Sequence, residues 1–219
     1  MVERVALIDN DGVLVAYRLE MVKQIACILG KPQNEQFIEH FYKTTLHLDD
    51  SELLNAFSNP SIDLHYVLNS DDEQNFGATA PAYQGALDAL KILKAHNFKN
   101  VIVTARTEKM RPGTLARFVE LGMTPYIDDV VMRAKNEIRP ADFKVTAARQ
   151  INASHAFEDT YENLHRMCLA CPTLKHAYLI DQDWNRKHYS DELYPTLDIP
   201  IERMDSFNHA TLDAVATLK

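Results

Sequence analysis

The stretch VALIDNDGVL, Val5 to Leu14, decides the fold. Val5-Ala6-Leu7-Ile8 is apolar without alternation, the pattern of a short strand covered on both faces. It runs straight into Asp9-Asn10-Asp11-Gly12. Two carboxylates one residue apart repel each other. Such a pair at the end of a buried strand points to a metal, a shared proton or nucleophilic chemistry.

Further candidate strands follow. They are Asn100 to Thr104 (NVIVT), Asp129 to Met132 (DVVM), His155 to Glu158 (HAFE), His176 to Asp181 (HAYLID) and Ile199 to Met204 (IPIERM). Helical patterns separate them. Tyr83 to His96 places Ala86, Leu90 and Leu93 on one stripe with Leu87 beside it. Gly113 to Gly122 groups Leu115, Phe118 and Val119 and stops at a glycine suited to a helix C-terminus. Ala141 to Ile151 and Thr160 to Ala170 read the same way, and Pro112 and Pro140 stand where helices begin. This alternation predicts a doubly wound α/β domain with a mainly parallel, Rossmann-like sheet.

The alternation breaks between residues 15 and 80. Helical patterns at 18–30, closing at Gly30, at 34–46 and at 49–57, capped by Asp50 or Ser51, precede a loop-like return containing the acidic run Asp71-Asp72-Glu73. The expected organisation is a core of residues 1–14 and 81–219, with a small helical cap domain at 15–80 inserted after the first strand.

Composition narrows the function classes. The chain has 219 residues, 46% of them hydrophobic, enough for a sizeable core. Its formal charge of −8 disfavours a general affinity for nucleic acid. No apolar segment approaches the roughly 18 residues of a membrane span, and the N-terminus carries no signal-peptide pattern, so a cytoplasmic protein is expected. The three cysteines are too few for a disulfide framework. Cys168 and Cys171 have zinc or redox spacing without a second pair and read as ordinary helix residues.

In a doubly wound sheet, ligands bind outside the carboxyl ends of the strands. The first strand delivers Asp9 and Asp11 there, the second Thr104, and the fourth Glu158 and Asp159. Clustered carboxylates suit Mg²⁺, a hard cation with oxygen ligands. As a phosphoryl-transfer site, the set gives Asp9 the attack on phosphorus. Asp11 protonates the leaving oxygen and later deprotonates water. Thr104 and nearby backbone N–H groups bind phosphoryl oxygens, Asp159 holds Mg²⁺, and Glu158 is a weaker or supporting ligand. A cation must offset the two negative reactants, and Lys144 and Lys135 are the candidates.

These segments, in this order, resemble the haloacid dehalogenase superfamily of phosphotransferases. That pattern is an apolar strand with Asp-x-Asp, a strand ending in Thr or Ser, a lysine, and a strand ending in paired acids. This chain has ALIDNDGVL, VIVTAR, MRAKNEIRPADFK and HAFEDTYEN. The resemblance covers roughly residues 1–14 and 81–185. It implies that Asp9 is the nucleophile and a Mg²⁺ ligand, and that Asp11 is the general acid/base and lends its main-chain carbonyl to the metal. Thr104, with Asn10, Ala105 and Lys144, takes the phosphate-binding places. Asp159, with Glu158, takes the acidic metal-binding place. Met132-Arg133 before a loop favours Lys144 over Lys135 as the lysine. Dehalogenases of the superfamily lack an acid matching Asp11, so phosphate transfer is the expected chemistry.

The resemblance thus implies a Mg²⁺-dependent phosphatase of a small phosphorylated metabolite, a nucleoside monophosphate or a sugar phosphate, working through an aspartyl phosphate. The alternatives are a phosphomutase, a dehalogenase or a non-catalytic binding protein of the same fold. YLIDQDWNR, Tyr178 to Arg186, is similar to a run in nucleotidase-like members, or else Trp184 covers the sheet edge. EDTYEN lacks the arginine of polynucleotide 3′-phosphatases, against nucleic-acid end processing. Arg106 faces substrate or pairs with an acid, and Tyr17 and Arg18 open the insertion. The sequence leaves the oligomeric state open.

Overall fold

The computed structural model describes residues 4–28, 30, 34, 36–38, 40, 76–134, 139–186 and 197–218. The expected helix at 49–57, most of that at 34–46, the acidic run Asp71-Asp72-Glu73 and Lys135 lie outside the described residues. Six parallel strands form one sheet in the order β3-β2-β1-β4-β5-β6. They are β1 (Arg4–Ile8), β2 (Phe98–Thr107), β3 (Asp129–Arg133), β4 (His155–Glu158), β5 (His176–Ile180) and β6 (Ile201–Met204). The helices are α1 (Tyr17–Ile28), the single turn α2 (Phe76–Thr79), α3 (Ala86–Ala95), α4 (Arg111–Glu120), α5 (Pro140–Gln150), α6 (Tyr161–Ala170) and α7 (Phe207–Ala216).

Strand β1 is central, and its side chains alternate between two cores. Ala6 and Ile8 join the core formed with α3, Phe118 of α4, and α7. Val5 and Leu7 join the core formed with α5 and α6. A strand buried on both faces has no polar positions to alternate, which is why VALI is uniformly apolar. The register sets Ile8 beside Ile102 of β2 and beside Phe157 of β4. The next residue on each strand is therefore level with its neighbours, and Asp9 stands beside Glu158. The strand order reverses between β1 and β4, the switch point at which doubly wound sheets open a crevice.

The predicted stripe of α3 is the buried one, with Ala86, Leu90 and Leu93 in the core and Leu87 partly covered. On α4 the expectation needs correction. Phe118 is buried, but Leu115 and Val119 are exposed, and Thr114 takes the inward place. The reason is polar, because Arg106 reaches this helix and donates from Nη1 to Thr114 Oγ1 at 3.0 Å. Gly122 closes α4 with φ 66°, as a helix-ending glycine should.

Far from the strand carboxyl ends, His155 is buried on β4, edge-on to Phe98 at 4.9 Å and stacked on His176 at 4.6 Å. Burial pushes its pKa down to about 3, helped by the charges of His176, Arg4 and Lys175. The sign follows. The unfolded histidine titrates near 6.5, so below that pH the unfolded chain takes up a proton that the folded chain refuses. The contribution is intact above pH 6.5 and is lost progressively as pH falls towards 3. Urea titrations should show a loss of about 2 kcal/mol from this group between pH 8 and pH 5, at roughly 1.4 kcal/mol per pH unit. His155→Gln should flatten that part of the profile, and an equally steep variant would refute the assignment.

Candidate active site

The turn after β1 is held by backbone hydrogen bonds, to β4 and within itself. Asp9 N–H donates to Phe157 C=O at 2.9 Å, and both Leu14 and Val15 N–H groups donate to Asn10 C=O, at 2.9 and 3.0 Å. Gly12 adopts φ 84°, and a Cβ there would lie 2.0 Å from Asp159 Oδ2. The glycine is needed twice, for the left-handed backbone and for the close approach of a carboxylate.

Asp9 is buried and its Oδ1 accepts from Asn10 N–H at 2.8 Å. Lys144 lies on the inner stripe of α5 with Ala141, Ala147 and Ala148, small residues that let its stem run to the sheet. Its Nζ sits 2.6 Å from Asp9 Oδ1 and 2.8 Å from Glu158 Oε2, with only 1% of the side chain exposed. Asn163 Nδ2, from α6, donates to the other Glu158 oxygen at 3.1 Å. Oxygens of Asp9, Glu158 and Asp159 lie within 4.8 Å of one another. Asp159 accepts from Thr160 Oγ1 at 3.2 Å and from Trp184 Nε1 at 3.3 Å.

The electrostatics fit a divalent cation. Among the described residues, the ammonium of Lys144 is set against three buried carboxyl groups in this cluster. Burial, and then the charge of Glu158, hold the Asp9 carboxyl well above the usual carboxylate range, against the pull of Lys144. Burial also opposes the charge of Lys144, but Asp9 and Glu158 outweigh it and raise its pKa. Lys144 is therefore a fixed cation, one ammonium set against several buried carboxyl groups. An all-oxygen set is the donor chemistry of Mg²⁺.

Asp11 points elsewhere. Arg106 Nε donates to its Oδ2 at 2.9 Å and Nη2 to its Oδ1, a two-pronged pair. Arg106 thus pairs with an acid. Asn10 is buried, with its Nδ2 on Asp11 Oδ1 at 3.2 Å. Thr104 is fully buried near the end of β2, its Oγ1 accepting from Arg106 N–H at 3.2 Å, and Ala105 beside it is partly exposed. The structure thus joins Asp9, Lys144, Glu158 and Asp159 directly, and sets Asp11, Thr104 and Arg106 in an adjoining group.

Two roles went unread in the sequence. Asn163 is a polar residue on an otherwise apolar helix face, and that placement was its only signal. Trp184 was noted for its run, but its hydrogen bond to Asp159 spans separate strand ends. Cys168 and Cys171 are free thiols, and burial pushes Cys168 up to about 12, which keeps it protonated and unreactive. Among the described residues, no helix is long and apolar enough to cross a membrane.

No protein-family model matches the sequence, and no curated protein matches it. Solved structures do. A haloacid dehalogenase-like family hydrolase from Streptococcus pneumoniae is similar over 99% of this chain and 99% of its own, at 14% identity and TM-score 0.63. A predicted phosphatase from Clostridium acetobutylicum is similar over 99% of this chain and all (100%) of its own, at 12% identity and TM-score 0.65. D,D-heptose 1,7-bisphosphate phosphatase from B. bronchiseptica, complexed with magnesium and phosphate, is similar over 98% and 99%, at 10% identity and TM-score 0.53. The chain has the fold of the haloacid dehalogenase-like hydrolases.

Proposed function

We infer that the protein is a phosphatase of the haloacid dehalogenase type, acting on a small phosphorylated metabolite. The observation that carries this reading is the buried Asp9–Lys144–Glu158–Asp159 cluster at the carboxyl ends of β1 and β4. A carboxylate at the end of a strand, fixed by a lysine and a backbone N–H, is held as a nucleophile should be. An Oδ of Asp9 attacks phosphorus, the ester P–O bond breaks, and the leaving oxygen takes a proton from Asp11. Asp11 then removes a proton from the water that attacks the aspartyl phosphate, and Asp9 and inorganic phosphate are released. Lys144 offsets charge on the phosphoryl oxygens, and Thr104 Oγ1 with the adjacent N–H groups of Asn10 and Ala105 orients them.

Mg²⁺ would be held by Asp9, Asp159 and the Asp11 main-chain carbonyl, with Glu158 beside them, and would supply positive charge against the phosphoryl group. Asp11 must leave at least one of its bonds to Arg106 to reach a leaving group. The Trp184-Asn185 pair is hydrogen-bonded to Asp159, so the run that contains it gives no ground to prefer nucleoside monophosphates over sugar phosphates. Both remain in the substrate class.

The test is phosphate release from p-nitrophenyl phosphate by the purified chain, with MgCl₂ and after chelation. Release that requires Mg²⁺ and returns when it is restored is the expected result. A protein that binds Mg²⁺ and phosphate but turns over neither this ester nor a panel of nucleotides and sugar phosphates would instead be a binding protein.

A further inference from the structure

The structure assigns Trp184 as a positioning residue for the Asp159 carboxylate, an assignment that rests on Asp159 being a Mg²⁺ ligand. Beyond β5, residues 181–186 form a loop that grips the site at three points. Asn185 Nδ2 donates to the main-chain carbonyls of Asp159 and Ile180, both at 2.8 Å. Asn185 Oδ1 accepts from Gln182 N–H at 3.2 Å and from Arg203 Nη1 at 3.0 Å. Gln182 Nε2 donates to Gly12 C=O at 2.6 Å, inside the turn that carries Asp11. Trp184 Nε1 donates to Asp159 Oδ2 at 3.3 Å. One loop therefore holds the backbone of residue 159, its carboxylate and the turn that faces it.

The choice of an indole has a physical reason. A donor on one lone pair fixes the plane of a carboxylate and leaves the remaining lone pairs directed. Lys144 does this for Asp9 and Glu158 at the cost of cancelling charge. An indole N–H is neutral and orients Asp159 without adding a positive charge that would cancel its own. The ring itself is locked. Trp184 is buried, the Arg18 guanidinium carbon lies 5.0 Å from its centroid, and Tyr17 meets it edge-on at 6.3 Å. Both come from α1, so the helix that leaves the first motif also clamps the residue that aims Asp159. Arg18 is itself buried, with only 1% exposure.

Trp184 is the chain's only tryptophan, so its emission reports this one position. Chelator-stripped wild type is titrated with MgCl₂, without substrate, and followed by tryptophan emission and by calorimetry. The expected result is a saturable emission change with the same midpoint as the heat, and Asp159→Asn should lose both. Trp184→Phe keeps an aromatic ring and removes the N–H. Its Mg²⁺ affinity by calorimetry should fall on the order of 10-fold, the usual size for a lost partner of a metal ligand. A ring that only packs would lower the melting temperature and leave the affinity alone. Affinity within about twofold of wild type overturns the inference. So does calorimetric saturation of wild type without an emission change, a measurement that needs no variant to fold. Wild type that binds no Mg²⁺ overturns both this inference and the functional reading beneath it, whereas normal wild-type binding with an unaffected Trp184→Phe overturns this inference alone.

Discussion

Replacing Asp9 with asparagine should reduce phosphate release by on the order of 10³-fold or more, to the background of the assay. Asparagine has the shape of aspartate, and its Oδ1 can still accept from Asn10 N–H and from Lys144, so the local geometry has no reason to change. What disappears is the anionic oxygen that attacks. The same substitution should raise the unfolding midpoint measured without Mg²⁺. Burial and the neighbouring acids hold the Asp9 carboxyl above its ordinary pKa. A carboxyl that ionises less readily folded than unfolded opposes folding at neutral pH, and its neutral replacement removes that opposition. Activity and stability should therefore move in opposite directions, as expected of a group kept for chemistry. An Asp9→Asn protein with wild-type turnover would remove Asp9 from the mechanism.

Lys144→Met should act with the other sign on stability. The methionine keeps most of the stem and loses the charge, leaving Asp9 and Glu158 buried without their shared cation. Removing one partner of a buried ion pair typically costs about 3–5 kcal/mol. Here the ammonium bridges two carboxylates, at 2.6 and 2.8 Å, so the loss should fall in that range and turnover should vanish with it. Guanidinium unfolding and the p-nitrophenyl phosphate assay check the two halves separately. Combining Asp9→Asn with Lys144→Met should recover part of the lost stability, because the two effects share one interaction. A Lys144→Met chain as stable and as active as wild type would show that the lysine is not part of the site.

Much of the frame was readable because its signals are local. His155 to Glu158 is the predicted strand residue for residue, and Asp129 to Met132 lacks only Arg133. Apolar runs that end in acids carry both the strand and its place in the site. The helix Phe207–Ala216 went unread, although Ser206 caps it by accepting from His209 N–H at 3.2 Å. On α4 only Phe118 of the apolar stripe marks the inner face, while Leu115 and Val119 are exposed and Thr114 goes inward as the partner of Arg106. For the site, the residue types and their order indicated the acids and the lysine. That Arg106 pairs with an acid was one of two readings, but that the acid is Asp11, and that Trp184 grips Asp159, could not be read, because each joins side chains on different strand ends. Only the sheet order brings those ends together. The helical cap domain proposed for residues 15–80 stands as a reading of pattern, with α1 as its described beginning.

The central position of β1 has a consequence for how the molecule is born. Arg4–Ile8 is made before both of its neighbours, β2 following α1, α2 and α3, and β4 following α4 and α5 as well. Its apolar residues must wait, unpaired on both edges, while most of the chain is made. Such long-range parallel pairing is slow to form and exposed to aggregation until it does. Asp9 meets Glu158 and Asp159 only when β4 docks, so the acidic cluster forms late. A chain interrupted before that strand should therefore lack the acidic cluster altogether rather than hold a weaker version of it.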